Sequence, residues 1–221
     1  MFYSSKTSSL ILGLIPRTTY KPKSDPRKKP VNPLDTFFLD QARAKELDDP
    51  TAALCVFITK ESDDYPTGRT LVLRNIDGQL GVFINKSSPK WNQKDQGISL
   101  QTYWPSVEIQ YRVKASCATL DPNLIRHSWK QRPETPKKLD WFYEKVKHQS
   151  AHLDPKEAIN LATKLKELIL PDQSAAPDSA TGLLLEPFEF EKLELRSGDL
   201  PHHREKFVLI EGIWQHYPMV P

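Results

Sequence analysis

Asp77-Gly78 lies between two apolar, strand-like runs, Arg69-Thr-Leu-Val-Leu-Arg74 and Val82-Phe-Ile-Asn85, and this commits the chain to an antiparallel hairpin. A two-residue Asp-Gly loop takes the positive φ angles that match the twist of paired strands, so it sets the direction and register of both flanks. Cations close both ends of the first run, and Ser88 and Lys90 follow the second. Arg69 and Arg74 are five apart, so on a regular strand they lean to opposite faces, and only a bulge would align them. Brought to one end of the hairpin, Arg69, Arg74, Ser88 and Lys90 would form a compact anion site, because guanidinium forks and an ammonium suit phosphate oxygens. The same pattern also fits a solvated hairpin with ordinary surface cations.

Further strand-like runs over 52–59, 79–85, 98–104, 107–119, 183–195 and 206–215 are rich in valine, isoleucine and aromatics. Asn32 is a helix cap with Pro33 at the first position, and Leu34, Phe37, Phe38 and Ala42 recur at helical spacing, which predicts a helix to about Leu47. Asp121-Pro122 and Asp154-Pro155 each open another helix, the second with an apolar face of Ile159, Leu161, Ala162, Leu165 and Leu168. Pro171 to Thr181 reads as an exposed linker. Strands first, helices in the middle and late strands predict a mainly β fold of α+β type, a β-barrel with appended helices. The alternative is an open α+β sheet. The expected organisation is a basic tail over 1–31 and one domain over 32–221.

The net charge of +3 hides an asymmetry, because residues 1–30 carry seven Lys or Arg against Asp25 alone. The rest of the chain is mildly acidic, so the overall basicity makes no case for nucleic-acid binding. Cys55 and Cys117, the two cysteines of the chain, sit in apolar runs and form neither a disulfide framework nor a zinc pattern; a reducing, cytoplasmic compartment is expected. The segment around Leu10-Ile-Leu-Gly-Leu-Ile15 is basic and Ser/Thr-rich, compatible with a mitochondrial transit peptide as well as with a basic tail. No apolar run reaches membrane-spanning length. Eight glycines without a Gly-rich phosphate loop give no support to a Rossmann or Walker site, and the six histidines fit no zinc spacing.

Five segments, in order, carry a resemblance to a known family: Asn32-Pro-Leu-Asp-Thr-Phe-Phe38, Asp49-Pro-Thr-Ala52, Gly68-Arg-Thr-Leu-Val-Leu-Arg74, Val82-Phe-Ile-Asn-Lys-Ser-Ser-Pro-Lys90 and Trp104-Pro-Ser-Val-Glu-Ile-Gln-Tyr-Arg112. The chain resembles the pyridoxamine 5'-phosphate oxidase family, flavoproteins built on an FMN-binding split β-barrel. The resemblance implies FMN as cofactor, held by Arg69, Thr70, Leu71, Val72 and Arg74 on one strand and by Phe83, Ile84, Ser88 and Lys90. Arg74 replaces a more usual lysine, and Pro89 stands where the family has a further phosphate arginine. Gln110 matches the flavin-ring glutamine, Gln149-Ser150 a polar pair on the partner subunit of a homodimer, and Lys206 a terminal arginine. Arg74, Arg132, His202 and Arg204 fall on substrate-binding positions, with His202 in place of the substrate arginine and Ser128 in place of a tyrosine.

What the resemblance implies for function is oxidation of a phosphorylated vitamin B6 vitamer, pyridoxamine or pyridoxine 5'-phosphate, to pyridoxal 5'-phosphate, with dioxygen reduced to hydrogen peroxide. The protein's share of such chemistry is binding and orientation, which agrees with the lack of any visible catalytic triad or carboxylate pair. An FMN oxidoreductase with another small substrate, and a non-catalytic flavin-binding protein, are the alternatives, both favoured by the altered His202–Lys206 segment.

Overall fold

The computed structural model describes residues 32–61, 65–170, 175–196, 198–199 and 201–221; the expected basic tail over 1–31 lies outside the described residues. In chain order the elements are α1 (Pro33–Glu46), β1 (Leu54–Lys60), β2 (Pro66–Ile76), β3 (Gln79–Asn85), α2 (Pro89–Gln93), β4 (Ile98–Trp104), β5 (Ile109–Thr119), α3 (Pro122–Gln131), α4 (Glu134–Lys145), α5 (Pro155–Glu167), β6 (Ala180–Glu194), β7 (His203–Ile210) and β8 (Ile213–Met219).

All strand pairings are antiparallel, in the order β3-β2-β1-β4-β5-β6-β7-β8, and a further pairing of β3 with β6 closes six strands into a barrel. The 15-residue β6 makes both ends of this arrangement. Its first part, Ala180 to Leu185, seals the barrel against β3, while Glu189 to Glu194 carries the β7–β8 hairpin. Between the two parts the register with β5 slips: Ala115 faces Pro187 and Lys114 faces Glu189, which leaves Phe188 as the extra residue of a bulge. A bulge tolerates proline's missing N–H and bends the strand from one sheet surface to the next. Gly182 lies on the seam opposite Phe83, where an added Cβ would come within 2.3 Å of Leu120 Cδ1 and 3.1 Å of the Val82 carbonyl.

The Asp77-Gly78 turn forms as its residue types require, with φ of 50° and 81° and the Gly78 N–H donating to Asn75 Oδ1 at 2.8 Å. The run expected as one strand over 206–215 is instead a hairpin, because Glu211 (φ 50°) and Gly212 (φ 79°) turn the chain between β7 and β8. The expected linker over 171–181 ends earlier than predicted: Ala180 and Thr181 are buried in β6, paired with Asn85 and Ile84.

Phe37 of α1 is fully buried against Trp104, Tyr111 and Phe190, with ring centroids 5.1, 4.8 and 6.1 Å away. Burying one such ring stabilises the fold by about 1.5–3 kcal/mol before packing terms. Asp40, one turn on, accepts from Tyr111 Oη at 2.6 Å and pairs with the buried Lys192 at 2.7 Å, so a polar clamp backs the aromatic cluster. Ala42 is exposed and Ala44 is buried, so the packed face of α1 runs Phe37, Gln41, Ala44. By contrast α5, well capped by the reciprocal Asp154–Glu157 box, buries none of its residues, and Ile159 is 79% exposed. No described helix is long and apolar enough to cross a membrane.

Candidate functional site

A cavity of about 700 Å³ opens between the barrel and the α3–α4 segment. Thr70, Leu71, Val72 and Arg74 of β2 and Phe83 of β3 form one wall, and Ile125, Ser128, Trp129 and Arg132 face them from the helices. No bulge interrupts β2, so Arg69 and Arg74 take opposite faces, and the four-residue cluster expected at one end of the hairpin is split. Arg74 lines the cavity, whereas Arg69 turns to Ser150 and Lys90.

Lys90 is 4% exposed and forms no ion pair among the described residues. Burial, and then the positive charge of Arg69, pull its pKa down from 10.5 to about 8. Arg69 Nη1 donates to Ser150 Oγ at 2.6 Å, and the Gln149 N–H donates to Ser87 Oγ at 3.1 Å. The hydroxyl of Ser88 and Oε1 of Gln149 are buried and lack a hydrogen-bond partner among the described residues. Ser88 occupies the cap position of α2, yet its side chain makes no capping bond. Two cations with no carboxylate between them, beside polar atoms left unsatisfied, form a place that an anion would complete. Gln149 and Ser150, expected from a partner subunit, stand in the same chain as Arg69, because the loop after α4 folds back over β2.

Other expected residues lie elsewhere. Ile84 packs into the hydrophobic core, so only its backbone is open to a ligand role. Gln110, His202, Arg204 and Lys206 do not line the cavity, and neither do Arg69, Ser88, Lys90 and Ser150, although Arg69 and Ser150 are the chain neighbours of the lining residues Thr70 and Gln149. Gln110 meets Gln101 at 3.5 Å, and His202 Nδ1 accepts from the Arg196 N–H at 3.1 Å. Arg204 pairs with Glu191 and Lys206 with Glu189, each at 2.8 Å, on a sheet face where Arg112 and Lys114 share the same two carboxylates. Arg132 does reach the cavity, but its Nη1 lies 2.8 Å from Oδ2 of the buried Asp140. Trp129, Asp140 and Thr181 had no sequence signal: each joins the site through tertiary packing rather than local spacing.

No family model matches the chain. It is 29% identical to the pyridoxine/pyridoxamine 5'-phosphate oxidase of Shewanella frigidimarina over 168 residues, 73% of this chain and 76% of that protein. Its sequence is similar to those of the pyridoxamine 5'-phosphate oxidases. The enzyme of the same name from Chromobacterium violaceum is 28% identical over 110 residues, covering 48% of this chain and 51% of its own length. The chain thus spans between about half and three quarters of the relatives it matches. Among solved structures, PhzG from Burkholderia lata, in complex with tetrahydrophenazine-1-carboxylic acid, superposes with a TM-score of 0.73 at 22% identity, over 89% of this chain and 95% of that one. A pyridoxamine 5'-phosphate oxidase-related, FMN-binding protein from Nostoc punctiforme gives 0.71 at 18%, over 87% and 100%. The fold is therefore the FMN-binding split β-barrel of the pyridoxamine 5'-phosphate oxidase relatives.

Proposed function

We propose that this chain is an FMN-dependent oxidoreductase of a small molecule, with the flavin phosphate at Arg69, Lys90, Ser88 and Ser150. The observation that carries the reading is Lys90, a buried ammonium beside a second cation and without a carboxylate partner among the described residues. Charge-assisted bonds from the Arg69 guanidinium and the Lys90 ammonium would hold a phosphate, and the unpaired Ser88 hydroxyl would complete its shell. Thr70 to Val72 and Phe83 offer strand backbone and an apolar wall to a flat ring, and Gln149 Oε1 an acceptor for a ring N–H. The chemistry that bound FMN supplies is hydride acceptance from a substrate carbon and reoxidation by dioxygen to hydrogen peroxide. The protein's residues bind, orient and exclude water.

The names of the curated relatives favour pyridoxamine or pyridoxine 5'-phosphate as substrate. A second reading, another small substrate, is favoured by the pairing of Arg132 with Asp140 and by His202 in the substrate-arginine position. Gln110, Arg204 and Lys206 are outside this chain's cavity, so a flavin role for them requires a homodimer in which a second copy brings them to the ring. Purified protein should be yellow, carry FMN and sediment as a dimer. Its catalytic efficiency with pyridoxamine 5'-phosphate should fall at least about tenfold below that of a relative keeping the arginine, the scale of one lost contact. A colourless protein that takes up no added FMN would refute the assignment; family-level turnover would establish the B6 oxidase reading.

A further inference from the structure

We infer that the substrate side of this cavity selects a planar ring bearing a single negative charge, such as an aromatic carboxylate, over a phosphate monoester. The inference rests on the flavin site proposed above and concerns the wall facing it. Among the described residues of one chain that line the cavity, only Arg74 and Arg132 are cationic. Arg132 is already committed: its guanidinium lies 2.8 Å from Asp140, which is 3% exposed and is fixed from behind by Asn85 Nδ2 at 3.2 Å. Asn85 is itself buried and donates to Ser179 Oγ at 3.1 Å, so the carboxylate has no route to follow a departing arginine. A buried carboxylate deprived of its counter-charge is strongly disfavoured, which keeps Arg132 in the pair.

The Arg132–Asp140 pair adds no net charge, and Arg74 forms no ion pair among the described residues. One free cation balances a carboxylate, whereas a phosphate monoester is close to dianionic at neutral pH and would keep about one charge uncompensated. The remaining wall suits a flat ring. Trp129, Ile125, Pro136 and Phe83 are apolar surfaces, and Arg132 sits over the Trp129 ring at 5.8 Å. The indole N–H of Trp129 and the hydroxyl of Thr181 are buried, line the same cavity and have no hydrogen-bond partner among the described residues. Neutral donors of this kind serve a carboxylate oxygen without further charge.

The test is isothermal titration calorimetry of the dimeric, FMN-loaded protein with two probes that share one ring, 4-pyridoxate and pyridoxal 5'-phosphate. The wild type should bind the carboxylate at least about tenfold more tightly. Asp140→Asn, which keeps the side-chain shape but frees Arg132, should shift the ratio at least about tenfold toward the phosphate. Arg74→Gln, at an exposed position, should weaken 4-pyridoxate about tenfold and decides the matter should Asp140→Asn fail to fold. Wild-type preference for pyridoxal 5'-phosphate, or a ratio unmoved by either variant, would overturn the inference. Flavin content is read separately by absorbance, and the same titrations on flavin-free protein report the preference even if the flavin assignment fails.

Discussion

Arg69 Nη1 and Ser150 Oγ, 81 residues apart in sequence, lie 2.6 Å from each other, and Ser150 holds a left-handed φ of 70° to make that contact. A non-glycine residue in this region is strained by roughly 1 kcal/mol or more, so the loop after α4 is locked over β2 at a conformational cost. The arrangement orients the guanidinium before any ligand arrives. Replacing Arg69 and Lys90 together by alanine should weaken FMN binding by about 3 kcal/mol or more, roughly a hundredfold or greater, from contacts of about 1.5–3 kcal/mol each. Ser150→Ala should cost far less. Fluorescence titration of FMN into stripped protein measures both, and a double variant that purifies with stoichiometric FMN would refute the phosphate site.

Flavin affinity should depend on alkaline pH. Free Lys90 titrates at about 8 because of burial and Arg69, while a bound phosphate would favour its charged form and raise that value. Below about pH 8 the ammonium is already present and affinity is flat. Above it, binding must take up a proton, so the association constant should fall about tenfold per pH unit until the pKa of the bound state is reached. The phosphate of FMN is already dianionic throughout this range. Lys90→Met should bind weakly and lose the dependence; an unchanged slope in that variant would assign the titration elsewhere.

Acid stability should depend on Asp49. Burial alone would raise its pKa, but hydrogen bonds from the Thr51 hydroxyl and from the N–H groups of Ser106 and Thr51 outweigh it and hold the carboxylate at about 2 rather than 3.8. Because the folded value is the lower one, the stabilisation is fully present above about pH 4 and is lost as pH falls toward 2. Urea melts of wild type and Asp49→Asn should differ clearly at pH 6 and converge near pH 2. A constant gap across that range would contradict the assignment.

Gly182→Ala should destabilise the fold by about 1–3 kcal/mol, because the new methyl meets Leu120 Cδ1, the Val82 carbonyl and the Phe83 ring at 2.3, 3.1 and 3.2 Å. Since Phe83 lines the cavity, FMN affinity should fall as well. Thermal melts with and without FMN test both effects. Equal behaviour to wild type would mean that the seam is looser than its distances imply.

Residue chemistry makes some of this structure legible and some of it not. Asp77-Gly78 dictates its own turn, whereas Glu211-Gly212 interrupts Phe207-Val-Leu-Ile210 and Ile213-Trp214 so briefly that the apolar pattern reads as one strand. Periodicity identified the apolar face of α5, but not whether a neighbour covers it. Arg69 and Lys90 were readable from the resemblance, yet their separation from Arg74 follows from an unbulged β2, which no local signal specifies. Asp140 was illegible for a related reason. Its role depends on α4 turning it toward Arg132 and Asn85, two partners supplied by different elements.

The dual pairing of β6 also sets a timetable. Barrel closure joins β3 to Ala180–Leu185, with β4, β5 and the four helices α2 to α5 between them in the chain, so this contact is among the last that synthesis permits. Thr181 enters the cavity wall only with that event. A nascent chain released before β6 would hold Arg69, Lys90 and Trp129 without an enclosed cavity, so the proposed flavin would meet its full site only once the barrel is complete.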